Sequence, residues 1–178
     1  QWHYQLTHHD VWDWDIPSAP VLADLPNGRK ILMQVSKQAW VYTFDRMTGE
    51  PIWPIEERPV PTSDVPGERA APTQPFPTKP PPFERQGITE DDLIDFTPEL
   101  KEQALTILNG YRVGGLYVPQ LPETYEGEYI NNVGCLGAGN IINHPPAADP
   151  TIGVMFNSHR RNCFAPGFMR ATNGVDRD

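Results

Sequence analysis

The part of the chain best equipped for chemistry is His8-His9-Asp10-Val11-Trp12-Asp13-Trp14-Asp15, together with Lys37 further along. On an extended backbone alternate residues share a face, so Asp13 and Asp15 would project together while Trp12 and Trp14 point the other way. Two carboxylates held close repel, and neighbouring indoles raise the pKa of at least one by desolvation unless positive charge compensates. Such a pair calls for a metal ion or a cationic clamp. A plainer role also fits: Asp13 and Asp15 as turn formers ahead of Ile16-Pro17, the indoles as core, and Lys37 as a solvated loop lysine. His8, His9 and Asp10 suggest zinc, but adjacent imidazoles on a strand point apart and no cysteine lies nearby. That leaves those histidines to line a substrate pocket or to hydrogen-bond Asp13.

These residues need a frame, and the clearest one runs from Pro20 to Trp53. Val21–Leu25, Lys30–Val35 and Ala39–Phe44 are predicted strands, joined by the Pro26-Asn27-Gly28-Arg29 turn and the Ser36-Lys37-Gln38 connection. Asp45–Glu50 supplies a further turn, with Gly49 free to take positive φ, and Trp53 closes an antiparallel meander. Pro51 to Gln86 holds eleven prolines, which exclude regular helix and central strand because each removes a backbone donor. Trp53, Phe76 and Phe83 make this stretch an ordered loop rather than a disordered linker. Thr89 with Asp92 predicts one short helix. Thr97 caps a second that opens with Pro98, carries Leu100, Ala104, Leu105 and Leu108 at helical spacing, and stops at Asn109-Gly110. Leu116-Tyr117-Val118-Pro119 and Gly153-Val154-Met155-Phe156 read as short strands. The chain divides into a blade-like unit over 1–53, the proline-rich loop with its helices over 54–112, and further strands and loops over 113–178.

With 178 residues the chain is long enough for one domain with a sizeable core. Its 14 basic against 23 acidic side chains give −9, which argues against nucleic acid or an anionic membrane surface as partner. The 21 prolines and 14 glycines signal loop-rich architecture, while five Trp, six Tyr and seven Phe remain to build a β-rich core. No apolar run approaches the roughly 20 residues needed to cross a bilayer, and no targeting segment is present. Gln1 stands in mid-motif, so a start upstream is expected. Cys135 and Cys163 could form a disulfide or remain two buried thiols.

Trp2-His3-Tyr4-Gln5 followed by His8–Pro17 resembles the active-site segment of the quinoprotein dehydrogenases, enzymes that use pyrroloquinoline quinone (PQQ). Asp45, Thr48, Gly49 and Trp53 are spaced like the tryptophan-docking repeat of that family, in which Asp and Thr tie a turn and the indole stacks on the next blade. Thr43 departs from the family's frequent Ala, and Trp2 matches the closing indole of a preceding repeat. Glu56–Pro61 with Pro72–Pro77 is similar to the long surface excursion of glucose-dehydrogenase-like members. Gly137-Ala138-Gly139-Asn140-Ile141, followed by Asp149-Pro150, keeps the register of a cofactor-proximal segment but has Ile141 where an aromatic is expected. Beyond His159-Arg160-Arg161 no pattern is recognisable.

The resemblance implies an all-β fold, a few blades of an eight-bladed β-propeller with PQQ on its axis. A ring needs about 40–45 residues per blade in propeller repeats, so this length cannot close one alone. Asp13 matches the general base that takes the hydroxyl proton while hydride passes to the quinone. Asp13 and Asp15 match the metal side, with calcium or a lanthanide as the ion, and Lys37 matches the residue that hydrogen-bonds the quinone oxygens. The family's Glu and Asn metal ligands, and the tryptophan beneath the cofactor, are not identifiable. The implied activity is oxidation of an alcohol group of a sugar, polyol or other alcohol, with a quinone or cytochrome as acceptor, in the periplasm, free or associated with the membrane. The remaining blades would come from a longer chain or other subunits. The other reading is a non-catalytic accessory subunit of a larger assembly.

Overall fold

The computed structural model describes residues 1–63, 65–122, 126, 127, 129–135, 145–159, 163 and 164. Its frame is an antiparallel meander of β1 (Val21–Asp24), β2 (Lys30–Val35) and β3 (Val41–Asp45), paired in chain order. Val21 faces Met33, Ile31 faces Asp45 and Val35 faces Val41. Alternate residues of a strand point to opposite faces. Val41 and Thr43 are nevertheless as buried as Tyr42 and Phe44, so β3 is covered on both sides. The strand expected from Ala39 begins only at Val41, because Ala39 takes φ +67° in the turn before β3.

The proline-rich stretch differs from the expected loop by holding an antiparallel hairpin, β4 (Ile55–Pro59) with β5 (Thr73–Pro77). The ladder explains how prolines fit. Thr78 N–H donates to Pro54 O at 3.0 Å and Val60 N–H to Pro72 O at 3.1 Å. The pairs Ile55–Pro77, Glu57–Pro75 and Pro59–Thr73 therefore fall at the alternate, non-hydrogen-bonded positions, where a missing N–H costs no ladder bond. Tyr42 OH donates to Pro75 O at 3.1 Å, and the Phe76 ring lies 5.0 Å from that of Trp40 and 5.3 Å from that of Tyr117. The hairpin is thus packed on the meander through a cluster that includes Trp12, Trp14, Val35, Trp40, Tyr42 and Tyr117.

The first expected helix is only one 3-10 turn, Glu90–Asp92, in which the Asp92 carboxylate accepts the Thr89 N–H at 2.8 Å. The second is α1 (Pro98–Leu108), with Thr97 Oγ1 accepting from Leu100 N–H at 3.3 Å. Of its apolar residues Leu108 alone is buried, while Ile107 and Leu100 are exposed. The strand expected at Leu116–Pro119 is instead a turn, since Val118 N–H returns to Gly115 O and Pro119 can extend no ladder. Pairing moves upstream to β6 (Tyr111–Val113), which runs parallel to β7 (Asn131–Cys135). β8 (Ala147–Asp149) and β9 (Val154–Phe156) form a small antiparallel pair, which places a strand within the expected 153–156 stretch. β10 (Cys163–Phe164) pairs with β7 so that Cys163 is in register with Cys135, and Cys163 is disulfide-bonded. The Gly137–Ile141 segment lies outside the described residues. Among those residues no ring of strands closes, and no helix is long and apolar enough to cross a membrane.

Candidate active site

A buried hairpin tip carries the cation. Ser36 N–H donates to Trp40 O at 2.9 Å and Ala39 N–H to Ser36 O at 3.0 Å, closing the turn between β2 and β3. Turn tips normally sit in water, yet Ser36, Gln38 and Ala39 are fully buried here and Lys37 is only 7% exposed. A buried ammonium is stable only with counter-charge and hydrogen bonds. It has both: Lys37 Nζ donates to Asp13 Oδ2 at 3.1 Å and to Asp15 Oδ1.

The segment that brings the carboxylates is not the extended strand expected from the alternation, because no ladder partner flanks it and the backbone is left-handed at His9 (φ +40°) and Asp13 (φ +66°). The alternation survives in burial. Trp12 and Trp14 are core residues, whereas the Asp13 and Asp15 side chains are 64% and 52% exposed. Trp14 Nε1 donates to Leu116 O at 3.1 Å, and Trp12 lies edge-on to Tyr117 with ring centroids 5.0 Å apart. These two indoles pin the chain on either side of Asp13.

Burial opposes ionisation of Asp15, but the Lys37 ammonium outweighs it and holds the carboxyl below its ordinary value. Burial would likewise discharge Lys37, yet its hydrogen bonds to Asp15 and Asp13 raise the pKa above normal, so the ammonium stays charged. Asp10 shows the opposite balance. Burial pushes its carboxyl up, the N–H groups of Trp12 and Trp14 pull it down, and the charges of Asp13 and Asp15 add to the rise.

His8 and His9 face the hairpin and make no bond to Asp13. His8 Nε2 is 2.9 Å from Glu57 Oε1 and His9 Nε2 is 2.9 Å from Glu68 Oε1. The docking motif is assembled at the far end of β3. Asp45 Oδ1 accepts from Met47 N–H (2.8 Å) and Thr48 N–H (3.1 Å), Thr48 Oγ1 accepts from Glu50 N–H (3.2 Å), and Gly49 has φ +83°. The Trp2 indole seats on that turn, with Nε1 donating to Arg46 O at 3.1 Å. A Cβ on Gly49 would lie 2.5 Å from Trp2 Cδ2, so only glycine admits the ring. Trp53 is exposed, with no such seat among the described residues.

Sequence reasoning missed the residues that hold this site in place: Gln38, Gln74 and Gln86. Gln38 Nε2 donates to Thr7 Oγ1 at 2.9 Å, while the buried Trp12 Nε1 has no hydrogen-bond partner among the described residues. No periodicity marks these amides.

Lys37 binds one oxygen of each carboxylate, and both side chains remain more than half exposed. Hard divalent cations take six to eight oxygen donors, so the pair suits part of such a shell. Among the described residues no group of three His, Cys, Asp or Glu side chains could hold a metal ion alone. An ammonium has three N–H donors, and among the described residues Lys37 spends two of them, on Asp13 and Asp15.

A meander stapled through an indole and a glycine turn, with a carboxylate–lysine triad at its buried tip, fits part of a β-propeller. Residues 1–174 match the family described as PQQ: glucose/ethanol/alcohol dehydrogenase, β-propeller domain, and the chain belongs to that family. It is 30% identical over 166 residues to a quinate/shikimate dehydrogenase (quinone) of Acinetobacter baylyi, covering 90% of this chain and 20% of that protein. It is 38% identical over 103 residues to a glycerol dehydrogenase large subunit of Gluconobacter thailandicus, covering 55% and 14% respectively. A quinoprotein glucose dehydrogenase of Escherichia coli is 42% identical over 78 residues, covering 42% of this chain and 10% of that one. The chain therefore spans about a fifth or less of these relatives' length. No solved structure matches it.

Proposed function

We propose that this chain supplies the base and lysine side of the active site of a PQQ-dependent dehydrogenase that oxidises an alcohol group of a sugar, polyol or other alcohol. A quinone or cytochrome accepts the electrons, and the enzyme works in the periplasm or at its membrane face. The observation that carries this is the Asp13–Lys37–Asp15 triad, a buried ammonium between two solvent-facing carboxylates. PQQ, when bound, supplies the two-electron acceptor. Lys37 would hold it through an N–H donated to a quinone oxygen. Asp13 takes the proton from the substrate hydroxyl at the carboxylate oxygen that Lys37 leaves free. Asp15 would hold calcium or a lanthanide, with Asp13 beside it and further donors from the rest of the propeller. His8 and His9, tied to Glu57 and Glu68, border the approach to Asp13.

As a non-catalytic accessory subunit the triad would be only a structural ion bridge, and nothing would then require both carboxylates to remain open to solvent. The test is reconstitution of the full-length apoprotein with PQQ and calcium or a lanthanide. Dye-linked oxidation of at least one member of a broad alcohol and sugar panel is expected. Tight PQQ binding without oxidation of any member, or no binding, would remove the proposal.

A further inference from the structure

The described residues of the Pro51–Gln86 excursion touch both halves of the triad's scaffold, and none of them joins the triad. On the carboxylate side Gln74 of β5, fully buried, behaves like a strand neighbour: its Oε1 accepts His8 N–H at 2.8 Å and its Nε2 donates to His8 O at 2.6 Å. Five residues on from His8 is Asp13. On the lysine side, Phe83 N–H donates to Ala39 O at 3.0 Å and Gln86 Nε2 donates to Gln38 O at 2.7 Å, in the two residues that follow Lys37. The excursion is itself fixed to the meander by the Tyr42–Pro75 hydrogen bond and by Phe76 against Trp40 and Tyr117. A residue held at both its N–H and its C=O cannot shift without leaving buried polar atoms unpaired.

We propose that the proline-rich excursion sets the separation of base and lysine: Gln74 positions the backbone leading to Asp13, and Gln86 positions the turn holding Lys37. Both are positioning residues that touch neither carboxylate nor ammonium. This rests on the roles assigned to Asp13 and Lys37 above. Prolines suit the task, because a chain with few accessible backbone states makes a stiff brace. The β4–β5 hairpin and the Gln86 contact belong to one continuous stretch, so movement of either half is opposed by the other.

The test uses the full-length protein with Gln74→Met, which keeps side-chain volume while deleting both hydrogen bonds, and Gln86→Ala, which removes a half-buried amide. The first readout is on the apoprotein and needs no cofactor: acetylation of Lys37 by acetic anhydride, followed by mass spectrometry. Loosening the brace should speed labelling of Lys37 by about tenfold or more, with the exposed Lys79 unchanged as internal control. The second is kcat per bound PQQ, expected to fall about 10²-fold, as for a misplacement near 1 Å, with KM unaltered. If Gln74→Met fails to fold, Gln86→Ala decides alone. Failure of the wild-type protein to bind PQQ would overturn the proposed function, while the acetylation result would still judge the brace. Lys37 labelling and kcat at wild-type values in every folded variant, with only a lowered thermal midpoint, would overturn the positioning role.

Discussion

Replacing Gly49 with alanine should unseat Trp2, and the cost can be worked out in two parts. Gly49 has φ +83°, a left-handed value that costs an L-residue roughly 1–2 kcal/mol. The added Cβ would then lie 2.5 Å from Trp2 Cδ2 and 2.6 Å from Cγ, so the indole must move off the turn. Overpacking of this kind costs about 1–3 kcal/mol. The total is about 2–5 kcal/mol. Gly28 provides the control, since its φ of +81° is almost the same but nothing lies within 4 Å of an added Cβ. Gly28→Ala should lose only the backbone part. Urea denaturation, with Trp fluorescence as probe and unchanged m as the condition for comparison, gives both losses. Their difference of about 1–3 kcal/mol measures the docking of Trp2. Trp2→Ala should abolish that difference, because the clash then has no partner. Equal losses for Gly49→Ala and Gly28→Ala would refute the reasoning, since the indole would be shown to yield without cost.

Two further outcomes follow from the site. Asp13→Asn in the full-length enzyme should keep PQQ binding and lower kcat by about 10²–10⁴, whereas Asp15→Ala should weaken the metal requirement's saturation curve and shift preference away from a lanthanide; equal loss of metal affinity with normal saturated turnover in both would show that Asp13 is not the base. The Glu57 carboxyl, despite burial, and the Glu68 carboxyl are held below the ordinary value of 4.5 by His8 and His9, so the sign is that of depressed acids. Their contribution to stability is present above the ordinary carboxylate range and lost as pH falls through the folded-state values, so His8→Asn with His9→Asn should flatten the acid limb of a stability–pH curve; an unchanged slope would count against the two ion pairs.

Parts of this were legible from residue types alone. The meander was, because strand-forming runs flank the Pro26-Asn27-Gly28-Arg29 turn and the Ser36-Lys37-Gln38 connection, and so was α1, because Thr97 and Pro98 announce its start. The hairpin inside the proline-rich stretch was not. Prolines count against a strand by composition, and only the register shows that Pro59, Pro75 and Pro77 fall where no ladder donor is needed. β6 is three residues long and pairs in parallel with β7, so neither its length nor its neighbours carry a pattern. At the site, Asp13, Asp15 and Lys37 stand out through their resemblance to a known segment, and the structure brings their side chains together. The bracing amides stay silent because Gln74 and Gln86 bind peptide groups, which look the same at every position of a sequence.

Backbone strain singles out the same place by an independent route. Among the described residues, the positive-φ positions at Gly28, Gly49, Gly67, Gly87 and Gly153 are glycines, as sterics favour. The non-glycine ones are His9, Asp13 and Ala39, which lie in the carboxylate segment or in the turn that carries Lys37. Residues held in such regions cost of order 1–3 kcal/mol each and persist only where the surroundings over-determine them. Each has that support: His9 follows the peptide clamped by Gln74 and is tied to Glu68, Asp13 sits between two buried indoles, and the Ala39 carbonyl is held by Phe83 N–H. Glycine at position 13 would relieve the backbone and delete the carboxylate. The chain instead keeps the side chain and bears the strain, which is the expected choice if the position of that carboxylate is what matters.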